Sequence, residues 1–588
     1  MMLKEKKNMK YDFASIIDRS ADGSSKWAGM KKINPNVGPD VLPMSTADME
    51  FAIAPEIREG LKKHIDTVIP GYTNPTPAYY ESVLRWQKER HNYEGKAEWI
   101  VTTSGVVQAF FMLTQLLTEP GDGVIIQQPV YYPFAMAPKM TGRNLVNNPL
   151  ICTGDTYVID YEDLEEKAKD PKNKVLIFCN PHNPVGKCWS REELERLVDI
   201  CIRNDVFIIS DEIHNDLIMP GHEHIALPTI SPEASKHCAY LTAPSKTFNL
   251  AGYQLSNIFV EDPMIRGKLA MAKLMMMNLH QVSVSYEACR LAYTEGKEWL
   301  EELIQVVDGN AKYMESFLAE HIPEAKVYPL EGTYLLWVDF NGLGLTHKEL
   351  EKMNLGADLY LDEGTMFGVG GRGFERFNLA LPRSALEKAM ERLLNAWNAI
   401  KADWAANGKP EHIDLEPGMA MPTFTYDTPT ETGKEFAVTK PTVLLFHRYI
   451  SCGLCDMTMK GIAAQYGAIT GAGADIKVVM QSKPQRVIAE NKGYPFEIIC
   501  DSDRKLYDRF NIFTADSMLD MLGSDLQKVA PMFMSMMAGG NQEPPEGAQD
   551  QLPVWVAIGA DGVIRQVYRC KDMFDTPDVQ ALLGAAMM

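Results

Sequence analysis

The feature that most restricts the fold of this 588-residue chain is a series of short apolar runs alternating with amphipathic helical patterns between residues 55 and 290. The clearest runs are residues 124–126, 175–178 and 206–209. Their continuous hydrophobicity is typical of strands in a parallel sheet covered by helices on both faces. Between two runs, Ser190 and Glu193 stand at capping-box spacing before a helical pattern. This order of strand, helix and strand predicts an α/β fold.

The length of the chain predicts more than one domain, because 588 residues exceed what one hydrophobic core supports. After about residue 300, long helical patterns surround two strand-like runs, which predicts a small α+β domain. The predicted organisation is a region 1–404 (large domain about 55–295, small domain from the N-terminal segment and about 300–404), a linker 405–430 rich in Pro, Gly, Thr and Glu, and a third unit 431–588. A polar insertion at 539–551 predicts an exposed loop.

Composition excludes several classes of protein. The net charge of −20 argues against a nucleic-acid-binding surface, which would be basic. No apolar run is long enough to span a bilayer, and the N-terminal basic residues are followed by no apolar signal segment. The richest apolar stretch, 269–279, is interrupted by Lys273 and predicts a buried helix. The ten cysteines are too scattered for a disulfide scaffold, so we expect a cytoplasmic protein.

Residues that could take part in catalysis or ligand binding follow the apolar runs in a regular way. They are Gly105, Val106 and Val107 after the run 100–103, Tyr131 and Tyr132 after 124–126, Asn183 after 175–179, Asp211 after 206–210, and Ser245 with Lys246 after 239–243. Asp211 thus stands at a strand end, where ligands of open α/β sheets collect. Gly105 opens a helical pattern, which suits a phosphate cradle.

These residue types fit an enzyme that uses pyridoxal 5′-phosphate (PLP). Such an enzyme needs a lysine to bind the cofactor, an acid to keep its pyridine nitrogen protonated, and an aromatic side chain to stack on its ring. A helix N-terminus holds the phosphate, and an arginine grips the substrate carboxylate. Taken singly, each residue has a structural alternative, such as a cap, a turn or a packing tyrosine. Together, in this order, they favour the PLP interpretation.

Residues about 10–400 resemble the class I/II aminotransferase superfamily, fold type I PLP enzymes, and within it the MalY/PatB branch of cystathionine β-lyases and cysteine C–S lyases. The matching stretches are 26–27, 42–51, 71–73, 180–186, 211–216, 243–252, 332–335 and 376–378. The resemblance implies a large, mainly parallel-sheet domain and a small α+β domain. It also implies an obligate homodimer, in which Tyr72 reaches the cofactor phosphate of the neighbouring subunit.

The resemblance also implies a role for each matched residue. Lys246 is expected to form the Schiff base and move protons, and Asp211 to pair with the pyridinium nitrogen. Asn183 is expected to bind the phenolic oxygen, Tyr131 to stack on the ring, and Arg376 to bind the substrate carboxylate. The phosphate is expected to be held by Ser245 and by the backbone of Gly105, Val106 and Val107. His214 is expected in the cofactor site, and no metal is expected.

Two departures from the aminotransferase pattern favour the lyase branch. His214 replaces a tyrosine three residues after the aspartate, and Gln254 replaces an arginine eight residues after the lysine. A third departure, Ser45-Thr46, lies in the segment that lines the substrate side. We therefore expect β-elimination on cystathionine or cysteine S-conjugates, giving pyruvate, ammonia and a thiol, with Tyr132 as the general acid. The alternatives are an aminotransferase and a PLP-binding regulator without turnover.

The third unit contains Cys452 and Cys455 in a Cys-x-x-Cys pair between an apolar strand, 442–446, and a helical pattern. A helix N-terminus lowers a thiol pKa, which favours a redox pair; zinc is the rival interpretation and needs two further ligands. Residues about 430–588 resemble the thioredoxin fold, and most of all the peroxiredoxin-like superfamily, with Pro553 in the place of the cis-proline. The peroxidase motif before Cys452 is not intact, so the resemblance implies a dithiol oxidoreductase.

The fusion itself suggests a hypothesis. The lyase region releases a thiol, and the attached unit could carry or oxidise that thiol on Cys452, because covalent linkage raises the local concentration of the acceptor. A thiol reductant would then be a partner of the cysteine pair. The alternative is a fusion of two independent activities.

Overall fold

The structure is a computed structural model that describes residues 9–276, 281–515, 521 and 546–588. It divides the chain into two compact units, Met1–Ala399 and Ile400–Met588. Within the described ranges, no helix is long and apolar enough to cross a membrane.

A seven-stranded sheet forms the centre of the first unit, in the order β1-β9-β8-β7-β6-β2-β3. The strands are β1 (Ile100–Thr103), β2 (Gly123–Ile126), β3 (Asn144–Asn147), the separate pair β4 (Ile151–Cys152) and β5 (Tyr157–Val158), then β6 (Asn173–Cys179), β7 (Phe207–Asp211), β8 (Cys238–Thr242) and β9 (Ser256–Val260). Strand β9 is antiparallel to both of its neighbours, and the other strands run parallel. Every residue of β2, β7, β8 and β9 is buried, so the interpretation of the apolar runs is confirmed.

The helices up to residue 407 include those that cover both faces of this sheet. Their bounds are α1 (Ser25–Ile33), α2 (Pro55–Thr67), α3 (Pro77–His91), α4 (Val106–Leu117), α5 (Pro133–Met140), α6 (Tyr161–Ala168), α7 (Arg191–Arg203), α8 (Pro232–Lys236), α9 (Pro244–Thr247), α10 (Pro263–Met275), α11 (Ser283–Glu295), α12 (Lys297–His321), α13 (His347–Gly356) and α14 (Arg383–Asn407). Helix α7 begins at the predicted capping box, in which Ser190 Oγ accepts from the backbone N–H of Glu193.

A second, antiparallel sheet of the first unit has the order β10-β11-β13-β12. It comprises β10 (Lys326–Val327), β11 (Leu335–Asp339), β12 (Asp362–Glu363) and β13 (Phe374–Asn378). Trp337 on β11 stacks on Phe374 of β13, with ring centroids 5.0 Å apart. This sheet places Arg376 in the centre of β13, where the residue is buried.

The second unit contains a five-stranded mixed sheet in the order β18-β17-β16-β19-β20 and a short hairpin. Its elements are β14 (Thr425–Tyr426), β15 (Lys434–Glu435), β16 (Thr442–Phe446), α15 (Gly453–Gly471), β17 (Asp475–Met480), α16 (Pro484–Glu490), β18 (Glu497–Cys500), α17 (Lys505–Arg509), β19 (Val554–Ile558), β20 (Ile564–Arg569) and α18 (Val579–Met587). Strand β16 is wholly buried, because both faces of the sheet are covered by apolar side chains.

The predicted linker 405–430 differs from the structure. Leu415, Met421 and Phe424 are buried in the same apolar cluster as Phe510, and the Phe424 and Phe510 rings lie 5.5 Å apart. These side chains have no regular spacing, so hydrophobic periodicity did not reveal that the segment packs against the second unit.

Three smaller predictions also need correction. The helix predicted over 269–279 exists to Met275, but it is not wholly buried: Met271 and Met275 are 55% and 79% exposed, and residues 277–279 lie outside the described residues. The insertion 539–551 is described only from residue 546, and Gln551 within it is buried rather than exposed. Pro553 does precede the expected strand, yet its peptide bond is not cis. Each outcome depends on tertiary contacts that local composition does not encode.

Candidate active site

A cavity of about 170 Å³ opens at the carboxyl ends of the parallel strands of the first unit. This position follows from the topology, because consecutive parallel strands deliver their following loops to one edge of the sheet. Loops after β1, β2, β6, β7 and β8 all contribute lining residues. The predicted residues that line the cavity are Gly105, Val106, Val107, Tyr131, Asn183, Asp211, His214, Ser245 and Lys246.

Lys246 lies on the single-turn helix α9, directly after β8. Its Nζ donates a 2.6 Å hydrogen bond to the carbonyl oxygen of Ala47, which also accepts from the hydroxyl of Tyr334 at 2.8 Å. Burial, reinforced by the positive charge of Arg376, lowers the pKa of Lys246 to about 8. A substantial fraction of this amine is therefore neutral near physiological pH, which a nucleophile or base requires.

Asp211 is the last residue of β7 and is buried. One carboxylate oxygen accepts from the backbone N–H of Ile213 at 3.1 Å. Burial nevertheless raises the pKa of Asp211 to about 7, although Lys246 and the backbone hydrogen bond oppose the shift. This carboxylate lacks a close cation among the described residues, so a positively charged group placed against it would stabilise its ionised form.

His214 lies one turn further along the same loop and is buried against the edge of Tyr334, with ring centroids 6.0 Å apart. Its Nδ1 is buried without a hydrogen-bond partner in the described part of the chain. Burial and the charges of Lys246 and Arg376 lower the pKa of His214, so its ring is neutral. An orphaned ring nitrogen beside a cavity is available to a ligand.

The loop between β1 and α4 forms an open cradle. Gly105 caps α4, and a Cβ built on Gly105 would meet no atom within 4 Å. The first backbone N–H groups of α4 have no partner inside the helix, and they carry the positive end of the helix dipole. The opposite side of the cavity is lined by Ser245 and by the neutral side chain of Gln254. This is a site for an anion held by N–H and O–H donors.

Arg376 approaches from the second sheet. Its Nη1 donates a 2.7 Å hydrogen bond to Asn183 Oδ1, and its Nη2 is paired with Asp362. The guanidinium also lies over the ring of Phe367 at 4.7 Å. Its Nε is buried without a partner in the described structure. Arg376 is thus held in place on one side and retains a free donor, as a carboxylate clamp would require.

Three predicted site residues, Arg376, Tyr132 and Tyr72, do not line this cavity. Tyr132 is 39% exposed and packs edge-on against Tyr131, with centroids 5.0 Å apart, but it does not line the cavity. Tyr72 is 97% exposed in the single chain. The roles proposed for these two tyrosines stay predictions. Conversely, sequence reasoning assigned no role to several lining residues, namely Ala47, Phe134, Cys179, Ile213, Ala251 and Leu255, which carry no polar signal.

The second unit brings Cys452 and Cys455 together at the start of α15. Cys452 Sγ accepts from the backbone N–H of Cys455 at 3.2 Å and from Arg448 Nη2 at 2.8 Å. The hydrogen bond with Cys452 and the Arg448 charge overcome burial and lower the pKa of Cys455 to about 7, while that shared bond and burial raise the pKa of Cys452. The pair therefore loses its first proton near neutral pH, and the two sulfurs then share the remaining proton. Both cysteines are free thiols.

Arg448 was missed by sequence reasoning. It lies four residues before Cys452, in the loop that leaves β16, and it is buried. Its Nη1 is held by the carbonyl oxygen of Gln549 at 2.9 Å. The neighbouring His447 is buried, and burial lowers its pKa to about 4, so it adds no charge. For the zinc alternative, no group of three or more histidine, cysteine or acidic side chains in the described ranges is placed to hold a metal ion.

Comparison with known proteins divides the chain into the same two units as the structure, one on each side of residue 400. Residues 39–393 match the model of the family "Aminotransferase class I and II", and residues 417–567 match the AhpC/TSA family. The second match begins inside the segment predicted as a linker, in agreement with its packing. The C-terminal unit is therefore an AhpC/TSA domain of thioredoxin-like fold.

Individual relatives cover the first unit almost completely. Cystathionine β-lyase PatB of Bacillus subtilis (strain 168) is 39% identical over 356 residues, which is 60% of this chain and 92% of the relative. The structure of cystalysin from Treponema denticola, which contains PLP, matches with a TM-score of 0.66 and 44% identity over 67% of this chain and 100% of that chain. The PLP-bound C–S lyase of Staphylococcus hominis matches with a TM-score of 0.62 and 30% identity, covering 66% and 99%.

These findings confirm both resemblances inferred from the sequence. The family match extends over more than half of the chain, and its strand order and cavity agree with the motifs that carried the resemblance. The chain therefore belongs to the class I and II aminotransferase family.

Proposed function

We propose that the first unit is a PLP-dependent carbon–sulfur β-lyase that releases a thiol from sulfur-containing amino acids and leaves pyruvate and ammonia. The observation that carries this proposal is the buried amine of Lys246 in one cavity with Asp211 and Asn183, whose Oδ1 accepts a hydrogen bond from Arg376. PatB, cystalysin and the Staphylococcus hominis enzyme, whose names describe C–S lyases or PLP-containing proteins, support the same assignment.

The residues of the cavity fit PLP. The carboxylate of Asp211 suits a pyridinium nitrogen, because burial without a close cation is what raises its pKa. The open cradle at Gly105, with the N–H groups of Val106 and Val107 and the hydroxyl of Ser245, suits a phosphate. Tyr131 would stack on the ring, and Asn183 would bind the phenolic oxygen. Bound PLP supplies an aromatic ring that takes up the electrons released when the Cα–H bond breaks.

The chain's own residues handle the proton and the substrate carboxylate. Lys246, with its pKa lowered to about 8, would remove the Cα proton, and the carbonyl oxygen of Ala47 holds the amine beside the cavity. Arg376 would bind the α-carboxylate through the Nε that has no partner. Asn183 and Asp362 fix its guanidinium, which limits the entropy lost when substrate binds.

Two residues favour elimination over amino transfer. Gln254 lines the anion side of the cavity without a charge, so the phosphate would depend on backbone donors and on Ser245. His214 presents a neutral ring whose Nδ1 has no partner where aminotransferases carry a tyrosine. An aminotransferase remains the second candidate, because the family contains both activities.

The test is an assay without any keto acid. Cystathionine or an S-alkyl cysteine is supplied to the PLP-loaded protein, and pyruvate and free thiol are measured. We expect both products in equal amounts. Amino transfer that depends on added 2-oxo acid, with no pyruvate in its absence, would replace the lyase by the aminotransferase.

We also propose a homodimer, in which Tyr72 reaches the phosphate of the neighbouring subunit. The near-complete exposure of Tyr72 supports this role, because a side chain that acts in another subunit must project from its own. Sedimentation should give twice the chain mass of 65.9 kDa. Tyr72→Phe should weaken PLP binding without changing that mass. A wild-type protein that sediments as a monomer, or a Tyr72→Phe variant that binds PLP as tightly as wild type, would refute the proposal.

For the second unit we propose dithiol oxidoreductase activity at Cys452 and Cys455, in a cytoplasmic protein that uses a thiol reductant. The hydrogen bond between Arg448 and Cys452 Sγ supports it, since a cation beside a thiol at a helix start favours the reactive thiolate. All ten cysteines are free thiols, as in a reducing compartment. Coupling to the lyase is tested with Cys452→Ser: if thiol release and the fate of that thiol stay unchanged, the two activities are independent.

A further inference from the structure

Behind the Lys246 site, four buried side chains form one hydrogen-bonded chain in which two histidines join two carboxylates. His91 Nε2 lies 2.9 Å from Asp216 Oδ1, and His224 Nε2 lies 2.7 Å from Glu212 Oε2. Between them, the Nδ1 atoms of His91 and His224 lie 3.2 Å apart. None of the four residues is more than 8% exposed, and none has a role in the proposed reaction.

The geometry of this hydrogen-bonded chain fixes how many protons its four side chains must hold. Each of its three hydrogen bonds needs one proton, because two nitrogens or a nitrogen and a carboxylate oxygen cannot meet at these distances with only lone pairs. Two neutral histidines carry one ring proton each, and two carboxylates carry none. The intact chain therefore contains one proton more than its neutral histidines and ionised carboxylates supply.

The ends of the chain are anchored beside the two principal cofactor residues. Asp216 Oδ2 accepts from the hydroxyl of Thr247, the residue after Lys246, at 2.8 Å. Glu212, the residue after Asp211, accepts through Oε1 from Ser210 Oγ at 2.7 Å and from the backbone N–H of Leu227 at 3.1 Å. The chain thus joins the two ends of the loop 212–216 that follows Asp211, and Thr247 ties this loop to the helix that carries Lys246.

We propose that Asp216, His91, His224 and Glu212 are positioning residues that share one additional proton, and that this proton keeps the turn of Lys246 in register with the loop of Asp211. If the proton is lost, at least one of the three hydrogen bonds has no hydrogen, and two lone pairs face each other in a buried site. The link between the two loops then loosens.

The electrostatics place the additional proton at one end. Burial lowers the pKa of His91. Burial acts to raise the pKa of Asp216, but the hydrogen bond from His91 and the charge of Arg90, 4.0 Å away, hold it below its usual value. Asp216 is therefore ionised and His91 neutral. If His91 uses its one proton to donate to Asp216 and His224 donates to His91, the hydrogen-bond count leaves the additional proton in the 2.7 Å contact between His224 Nε2 and Glu212 Oε2.

Other titratable groups near the chain do not supply this proton. Tyr93, Cys238 and Tyr240 interact with Glu212, and burial raises the pKa of each, so all three are uncharged at neutral pH. Asn180 Nδ2 lies 3.4 Å from His224 Nε2, but it donates to the carbonyl oxygen of Ile225 at 2.9 Å. The nitrogens and oxygens of the chain contact each other directly, which leaves no space for a metal ion.

The substitution Glu212→Gln tests the proton count. A glutamine at this position accepts from Ser210 and Leu227 through its oxygen and donates to His224 Nε2 through its amide, so every hydrogen bond persists without the additional proton. Asp216→Asn changes the opposite end and keeps the test possible if the first variant does not fold. Its amide can donate to His91 Nε2, but the indole N–H of Trp86, which donates to the same Asp216 oxygen at 3.0 Å, then loses its acceptor, so this variant is compared with wild type by its pH slope and not by its absolute stability. Glu331→Gln is the control, because Glu331 accepts from the backbone N–H of Cys188 and is not a member of the hydrogen-bonded chain.

The measurement is urea unfolding of the full-length, cofactor-free protein between about pH 7.5 and 9, where unfolded histidines are largely neutral. Folded wild type then holds one proton more than the unfolded chain. We expect its unfolding constant, relative to that of Glu212→Gln, to rise about tenfold per pH unit while the proton is retained. Glu331→Gln should follow wild type. The second unit has the same sequence in all variants and contributes equally.

Two outcomes decide the matter. Parallel pH profiles for wild type, Glu212→Gln and Asp216→Asn would overturn the proposal. The expected divergence, together with PLP affinity that weakens at alkaline pH in wild type more than in Glu212→Gln, would support it. The unfolding experiment needs neither cofactor nor substrate, so its result is separate from the success or failure of the proposed lyase function.

Discussion

The two reactive centres of this protein are built on opposite plans. The Lys246 site gathers residues from Ala47 to Leu255 around its cavity, and the second sheet adds Arg376, which donates to the cavity residue Asn183 from 193 positions away in the sequence. The cysteine pair and Arg448 lie within eight consecutive residues between β16 and α15. Both plans place a reactive group at the start of a helix that follows a buried strand.

The difference teaches what each centre demands of the fold. A cofactor and a substrate need a cavity with several fixed donors, so that site depends on long-range packing. A dithiol needs a lowered thiol pKa, which one helix start and one cation supply. Substitutions in the first unit should therefore change several properties together, whereas substitutions around Cys452 should change one.

The largest effect is expected for Lys246→Ala. Loss of the amine removes the covalent attachment of PLP and the base for Cα, so the visible absorbance of the bound cofactor should disappear and kcat/KM should fall by about 10³-fold or more. Absorbance spectra and pyruvate release measure these changes. The control Lys187→Ala, at a lysine paired with Glu193, should behave as wild type. Retention of the cofactor spectrum by Lys246→Ala would show that another residue binds PLP.

A smaller effect is expected for Asp211→Asn. Loss of the negative charge should lower kcat/KM by about 10²-fold, because the pyridinium nitrogen loses its partner. In the cofactor-free protein, by contrast, the negative charge of Asp211 destabilises the folded state, as its raised pKa of about 7 indicates. The carboxyl is protonated below this value and becomes a buried anion above it, so stability present at low pH is lost as pH rises through 7.

Urea unfolding at pH 5 and pH 8 measures this second effect. The free energy of unfolding of the cofactor-free wild type should decrease from pH 5 to pH 8, and the decrease should be smaller in Asp211→Asn. An equal decrease in both proteins would mean that Asp211 is already paired with a cation in the folded chain.

The smallest effect is expected for Arg448→Met. Removing the cation from Cys452 Sγ should raise the first pKa of the cysteine pair, now near 7, by about one unit. The pH dependence of alkylation by iodoacetamide measures the shift. Lyase activity should not change. Arg504→Met is the matched control, because Arg504 donates a hydrogen bond to Gln551 instead of to a cysteine. An unchanged alkylation profile in Arg448→Met would assign the low pKa to the helix start alone.

The sequence predicts the first unit well where one strand or one turn determines the outcome. Continuous apolar runs located β2, β6, β7 and β8, and parallel topology then brought Asp211 and Lys246 together. It does not reveal pairings that depend on distant elements. His91 and His224 are 133 positions apart, and no local pattern indicates that their rings meet.

The second unit shows the same limit in reverse. The spacing of Cys452 and Cys455 indicated a redox pair, but Arg448 looked like any loop arginine until its guanidinium was seen on Cys452 Sγ. Leu415 and Phe424 lie in a segment rich in turn-forming residues, and only packing against Phe510 shows that they belong to the core. Apolar side chains without a period are not distinguishable from linker residues by sequence alone.

The hydrogen bond between Arg376 and Asn183 has a consequence for biosynthesis. A nascent chain that has emerged only as far as β11 already contains Lys246, Asp211 and the cradle at Gly105, but it lacks the arginine that donates to Asn183 in the cavity wall. The contact between Asn183 and Arg376 therefore forms late in synthesis of the first unit, after β13 has left the ribosome. Productive loading with PLP would then mark the molecules whose two sheets have both reached their final arrangement.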